Sequence, residues 1–179
     1  IDTVSFDSYS GGYMIAKHFE EQGYKNFGIV SGPGDAVDAV FRKNGFVDHI
    51  SEKEDLKLVW EYKGDFSSES GRDAFNDYKN QNIPDMAIFG CNDHTCFGFM
   101  KEALEAGFKI PKDFIIAGYD NLSFCENFTP ELTSVATNFD ILGKRAIRTI
   151  ENMVNDSNEI IRQFSMVPVE IVIRSSTKN

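Results

Sequence analysis

Short β-branched and aromatic runs alternate with longer amphipathic stretches through most of the chain, and this alternation narrows the possible folds more than any other feature of the sequence. Val4-Ser5-Phe6 reads as a strand end. A helix over residues 10–22 follows, where Tyr13, Ile15, Ala16 and Phe19 fall near helical spacing and Gly23 supplies the stop. Further strands are predicted over 27–31, 58–62, 86–90 and 114–119, and helices over 37–50, 67–79 and 93–106. Consecutive β–α connections of this kind need crossovers, and crossovers make neighbouring strands parallel. The expected fold class is therefore α/β, built on a doubly wound parallel sheet. After residue 120 the pattern changes. Residues 121–130 are irregular, 133–136 are extended, and 141–154 form a long amphipathic helix whose Ile141, Leu142, Ala146, Ile147, Ile150, Met153 and Val154 make one apolar stripe. Two β-rich segments follow, over 160–166 and 167–173.

Charge removes one class of function from this chain. With 18 Lys+Arg against 28 Asp+Glu the formal net charge is -10, so nucleic acid would meet a repulsive field, and any DNA binding is expected to lie elsewhere. At 41% hydrophobic and 26% charged residues, collagen-like, disordered and disulfide-scaffold readings are excluded. A chain of this length buries about 70% of its unfolded surface without metal or disulfide support. Cys91, Cys96 and Cys125 are an odd number and sit among apolar or aromatic neighbours, which suits reduced, packed thiols in the cytoplasm. The longest apolar runs are strand-sized, so no membrane span is expected. The opening residues Ile1 to Phe6 lack the basic and apolar regions of a secretory signal.

In open parallel sheets, ligands bind beyond the carboxyl ends of the strands, where helix N-termini and loop side chains converge. The residues predicted there are Asp7 and Ser8, the 31–38 loop with Asp38, Asp65-Phe66, Asn92-Asp93 and Asp120-Asn121. Carboxylates and amides at five loops make a polar rim suited to hydroxyl-rich small molecules, with Phe6 and Phe66 available to stack on an apolar ring face. Taken singly, Asp120 also reads as a turn cap, Asp38 as a solvated helix residue and Asn92 as a helix N-cap; their convergence favours a binding site. Catalytic and cofactor signatures are missing. Val37 stands where a dinucleotide fingerprint opening at Gly32-Pro33-Gly34 needs its third glycine, no Walker A lysine pattern occurs, and no G-x-S-x-G elbow is present. Cys91, His94 and Cys96 lack a second ligand pair for zinc. His18, His49 and His94 fall on three separate predicted helices. Neither an enzyme nor a cofactor or metal site is expected.

Six motifs come in order at matching spacing: 4–13 (VSFDSYSGGY), Ser31-Gly32-Pro33 with 42–46 (RKNGF), 64–71 (GDFSSESG), 87–93 (AIFGCND), 118–121 (GYDN) with 128–135 (FTPELTSV), and 172–177 (VIRSST). Together they resemble the LacI/GalR transcriptional regulators across essentially the whole chain. The resemblance implies an effector-binding core like that of periplasmic sugar-binding proteins, in which residues 8–136 with 167–179 make the C-terminal subdomain. Residues 1–7 with 137–166 would be part of the N-terminal one, and the DNA-reading helix-turn-helix would lie outside this chain. It implies effector contacts from Phe6, Asp38, Arg42, Phe66, Asn92, Asp120, Thr137 and Phe139. It also implies a homodimer interface at Phe97 and Phe128, and a sugar-like effector controlling operator binding. Ala36 stands where the purine repressor has a further arginine, which argues against a purine. Asp38 replaces a hydroxyl residue and Thr137 a common glutamine, and a more acidic pocket suits a neutral or aminated sugar better than a sugar phosphate. The same fold also serves solute-binding proteins of importers, the alternative reading; upstream sequence distinguishes the two.

Overall fold

In the computed structural model, which describes residues 2–81, 83–155 and 164–178, the strands and helices alternate as the sequence pattern predicts. The order is β1 (Thr3–Phe6), α1 (Ser8–Glu21), β2 (Asn26–Ser31), α2 (Val37–Ser51), β3 (Lys57–Lys63), α3 (Ser68–Tyr78), β4 (Met86–Gly90), α4 (Asp93–Glu105) and β5 (Phe114–Asp120), then a 3-10 turn at Ser123–Glu126 and β6 (Thr133–Ala136). After these come α5 (Phe139–Asn155), β7 (Phe164–Val167), β8 (Glu170–Val172) and a 3-10 turn at Ser175–Thr177. All the α-helices but α2, which has Ala36 at its N-cap and no side-chain cap, begin where a polar side chain satisfies a free amide of the first turn. Asp7 accepts from Ser10 N, Ser67 from Ser70 N and Asn92 from Thr95 N. The Asp7 cap is why α1 starts two residues before the periodicity suggests. Asn138 does the same for α5, its Oδ1 accepting from Ile141 N at 3.0 Å.

Six strands form one sheet in the order β3-β2-β4-β5-β6-β8. It is parallel except for β8, which runs antiparallel to β6. That edge strand is the one departure from the expected all-parallel sheet; a short return from β7 needs no crossover. Strand alternation sends Phe27, Ile29, Phe89, Ile115 and Ala117 to a core shared with α1 and α2, and Val30, Met86, Ile88, Phe114 and Ile116 to a second core under α3 and α4. The α1–α2 pair is close because glycines meet backbone. A Cβ on Gly12 would lie 1.9 Å from the Arg42 carbonyl oxygen, and one on Gly45 would lie 2.0 Å from that of Tyr9.

β1 and β7 stand apart as a two-stranded parallel pair, with α5 packed beside β1. Arg145 Nη1 ties α5 to this pair by donating to Met166 O at 2.7 Å. Leu142 and Ala146 are half-buried, whereas Ile147, Ile150, Met153 and Val154 are exposed. Of the expected strand over 160–166, residues 160–163 lie outside the described residues. Cys91, Cys96 and Cys125 are free and buried. No helix among the described residues is long and apolar enough to cross a membrane.

Candidate ligand-binding site

Arg42 is the centre of the polar constellation at the carboxyl ends of the strands. It sits on the second turn of α2 and is buried. Its guanidinium donates through Nη1 to the Cys91 carbonyl at 2.6 Å, just past β4, and meets Asp120 Oδ1 through Nη2 at 3.0 Å, at the end of β5. Its carbon Cζ stands 3.8 Å over the Tyr119 ring and 5.9 Å from that of Phe66. Nε is buried with no hydrogen-bond partner among the described residues.

Asp120 is held in an unusual way. Its φ is +108° and that of Asn121 is +54°, two successive left-handed residues without glycine, a conformation that costs free energy and persists only when its surroundings impose it. Those surroundings are visible. Asn121 N donates to Ser134 Oγ at 3.0 Å, Asn121 Oδ1 accepts from Arg174 Nη2 at 2.8 Å, and Thr137 Oγ1 donates to Asp120 O at 3.1 Å. Burial pushes the Asp120 carboxyl up to about 6 from its ordinary 3.8, the Arg42 cation pulling the other way and Asp93 adding to the rise.

Phe66 follows β3, also with positive φ, +72°. Its ring lies so close to the second loop that a Cβ on Gly32 would be 2.3 Å from it. Asn92 fixes it by donating Nδ2 to Phe66 O at 2.9 Å, while Asn92 Oδ1 caps α4. Both readings of Asn92 thus meet in one side chain: it is an N-cap, and its remaining polar capacity lies beside Phe66. Asp38 is exposed on the first turn of α2 and accepts from Ser8 Oγ at 3.0 Å and Ser5 Oγ at 3.4 Å. Phe6 and Phe139 meet edge to face, ring centroids 5.2 Å apart, with Phe139 63% exposed.

The structure therefore joins Arg42, Asp120, Phe66, Asn92 and Thr137 in one connected group. Asp38 is placed one turn before Arg42 on α2, and Phe6 with Phe139 on the β1–α5 side. Phe97 and Phe128 lie away from this group as half-buried rings 5.1 Å apart, with Phe124 5.5 Å from Phe97. A separate cavity of about 460 Å³, beside the Gly32-Pro33-Gly34 turn and walled by Lys43, Glu61 and Lys63, contains none of the predicted contacts. The residues weighed as chemical candidates have structural partners: His18 Nε2 meets Thr177 Oγ1, His49 Nε2 meets Glu20 Oε2, and Cys96 Sγ donates to Ala117 O.

Sequence reasoning placed Asp93 on the polar rim beside Asn92 but missed its role inside the fold. It is fully buried, its Oδ1 accepting from Ser134 Oγ at 2.6 Å and its Oδ2 from Leu122 N at 2.8 Å and Cys125 Sγ at 3.1 Å. Burial raises its pKa. These bonds clamp the segment that carries Asp120 and Asn121. Read along the chain, Asp93 is a first-turn helix acid next to a cap, a type usually solvated. Only the juxtaposition of β5, β6 and the 3-10 turn buries it.

Residues 16–177 match the model of the periplasmic binding protein-like domain. The chain belongs to that family. Within it the likeness is to LacI/GalR regulators. The chain is 32% identical to the HTH-type transcriptional repressor PurR of Mannheimia succiniciproducens over 99% of its own length and 53% of the relative's. Among solved structures it is similar to a LacI family transcriptional regulator from Enterococcus faecalis V583 with bound ribose, at 29% identity and a TM-score of 0.86, covering 98% of this chain and 62% of that one. The Lac repressor bound to ONPG shares the fold, with a TM-score of 0.90 at 23% identity over 98% of this chain and 53% of that one. The chain spans about half the length of the curated relatives it matches. These relatives are repressors, and the group to which they belong is not one of enzymes.

Proposed function

We propose that this chain is the effector-sensing and dimerising core of a LacI/GalR-type transcriptional regulator, which binds a small sugar-like molecule and passes its occupancy to operator DNA. The observation that carries the reading is the Arg42–Asp120 pair: a buried arginine and a carboxylate on strained backbone, opposed across the carboxyl ends of one parallel sheet. A donor fork beside an acceptor matches the two faces of a sugar hydroxyl, and Phe66 offers an apolar surface next to it. The ribose in a similar regulator supports this class of ligand. Asp38 adds acceptor charge, which favours neutral or aminated sugars over phosphorylated ones.

Residues 8–136 with 167–179 are proposed as one subdomain and 1–7 with 137–166 as part of a second. The separate pairing of β1 with β7, and α5 beside it, support that division. Operator contact is assigned to the half of the regulator outside these residues, in keeping with the net charge of -10. Phe97 and Phe128 are proposed to meet a second copy. Three unpaired buried thiols support a cytoplasmic site. The importer reading loses ground because the similar proteins are a transcriptional repressor and a transcriptional regulator.

Calorimetry of the full-length regulator against a panel of pentoses, hexoses and aminosugars tests the proposal. Arg42→Ala should weaken the binding sugar by about 2–4 kcal/mol, because it leaves buried acceptors unpaired. Unchanged affinity would remove Arg42 from the site.

A further inference from the structure

We infer that Tyr119, to which the sequence motifs assign no role, is the positioning residue that aims the Arg42 guanidinium. The inference deepens the proposed effector site and rests on that reading for its consequence in binding, though not for its geometry. Alternation along β5 turns Tyr119 to the face shared with α1 and α2, beside Ile115 and Ala117, and its side chain is fully buried there. The Arg42 fork stacks on it at 3.8 Å, within the range where a guanidinium is held to an aromatic face by both charge and plane contact. A hydrogen bond to Cys91 O and an ion-pair contact with Asp120 Oδ1 fix the direction of the fork. They leave it free to tilt about the line joining them, and the ring beneath removes that freedom.

The ring is itself wedged. A Cβ on Gly11 would fall 2.5 Å from its hydroxyl oxygen and from Cε2, and 2.8 Å from Cζ, so α1 lies directly against it with no room for a side chain. Its hydroxyl is turned toward Ser8, whose own hydroxyl donates to Asp38 Oδ1 at 3.0 Å. The face of the ring is what Arg42 meets, so the Tyr119 contribution to the fork runs through the ring and not through the hydroxyl. Of the five N–H groups of Arg42, one points to Cys91 O and one to Asp120 Oδ1, and Nε has no partner among the described residues; a fork held this rigidly presents a fixed donor set to whatever enters.

The test compares Tyr119→Leu, which removes the platform, with Tyr119→Phe, which keeps it and deletes only the hydroxyl. A melting curve for each variant establishes that it is folded. Without ligand, the Arg42 Nε–H signal in the nitrogen–proton NMR spectrum should lie upfield of the other arginines in the wild type and in Tyr119→Phe, through the ring current, and should lose that shift in Tyr119→Leu. An Arg42 signal with no ring-current shift in the wild type, or one that survives in Tyr119→Leu, overturns the inference. With D-ribose, or with whichever sugar of the panel binds most tightly, Tyr119→Leu should weaken binding by roughly tenfold or more while Tyr119→Phe stays within about threefold. Equal losses in both variants would assign the effect to the hydroxyl, and no loss in either would show that the fork needs no platform; both results overturn the inference. If no sugar binds the wild type, the functional reading fails by itself, and the ligand-free spectra still decide whether Tyr119 positions Arg42.

Discussion

Replacing Asp120 with asparagine should stabilise the fold at neutral pH while damaging the site. In the native protein burial lifts the Asp120 carboxyl from 3.8 to about 6, outweighing the attraction of Arg42. The folded state therefore holds the proton more tightly than the unfolded chain does. Stability from this group is fully present below about pH 4, falls as the pH rises through 6, and is flat above. At about 1.4 kcal/mol per unit the shift corresponds to roughly 3 kcal/mol lost between acid and neutral pH. The side chain is 23% exposed, and solvent relaxation trims this to roughly 1–3 kcal/mol. An asparagine side chain stays neutral at every pH and tolerates left-handed backbone, so Asp120→Asn should lack this fall and exceed the wild type at pH 7. Urea unfolding of both proteins at intervals from pH 4 to 8 measures the difference, since titrations common to the two cancel. A variant less stable than the wild type at pH 7, with the same slope against pH, would mean that the ion pair is a net stabiliser and that the argument from burial is wrong.

Asn92→Ala should cost about 1–2 kcal/mol in urea unfolding, because it removes the cap on Thr95 N and leaves Phe66 O without its donor; Asn92→Asp, which keeps the cap, should recover part of that loss. Phe97→Asp should convert a dimer of the full-length regulator to folded monomers in sedimentation, since two-fold symmetry places each substitution at the interface twice. A persisting dimer would confine Phe97 to contacts with Phe124 and Phe128 within its own chain.

The alternation of apolar runs was enough to read the sheet and its helices because each element has a strong local signature. Met86–Gly90 and Thr133–Ala136 form strands at the residues the pattern predicts, and most other ends lie within a residue or two of it, as where the Asp7 cap begins α1 at Ser8. The antiparallel direction of β8 is not local information. It depends on where β7 leaves the chain, which three-residue patterning does not encode. In the site, Arg42, Phe66, Asn92 and Asp120 were legible as a set because parallel topology gathers strand ends and because the motifs resemble a known family. What Asp93 and Tyr119 do was not, although both fall within those motifs. Their roles come from burial between elements distant in sequence, and composition assigns an acid to solvent and a strand tyrosine to the core.

Local rules fail at the site, and they fail together. Of the four non-glycine residues with positive φ among those described, Phe66, Asp120 and Asn121 follow or end strands at the carboxyl edge of the sheet; the fourth, Asp85, precedes β4. A chain selected for stability alone would place glycine at such positions. Retaining a phenylalanine and two polar residues there means that side chains are needed where backbone geometry disfavours them, a conflict expected where function competes with folding. The surrounding structure bears the cost through identifiable contacts: Asn92 on Phe66 O, Asp93 on Leu122 N, Ser134 and Arg174 on Asn121. Arg42 then adds a buried cation to a region where burial alone would neutralise Asp120. Its contacts run to the ends of β4 and β5 while its helix packs on α1, so the group proposed to face ligand also ties together the elements that shape the site.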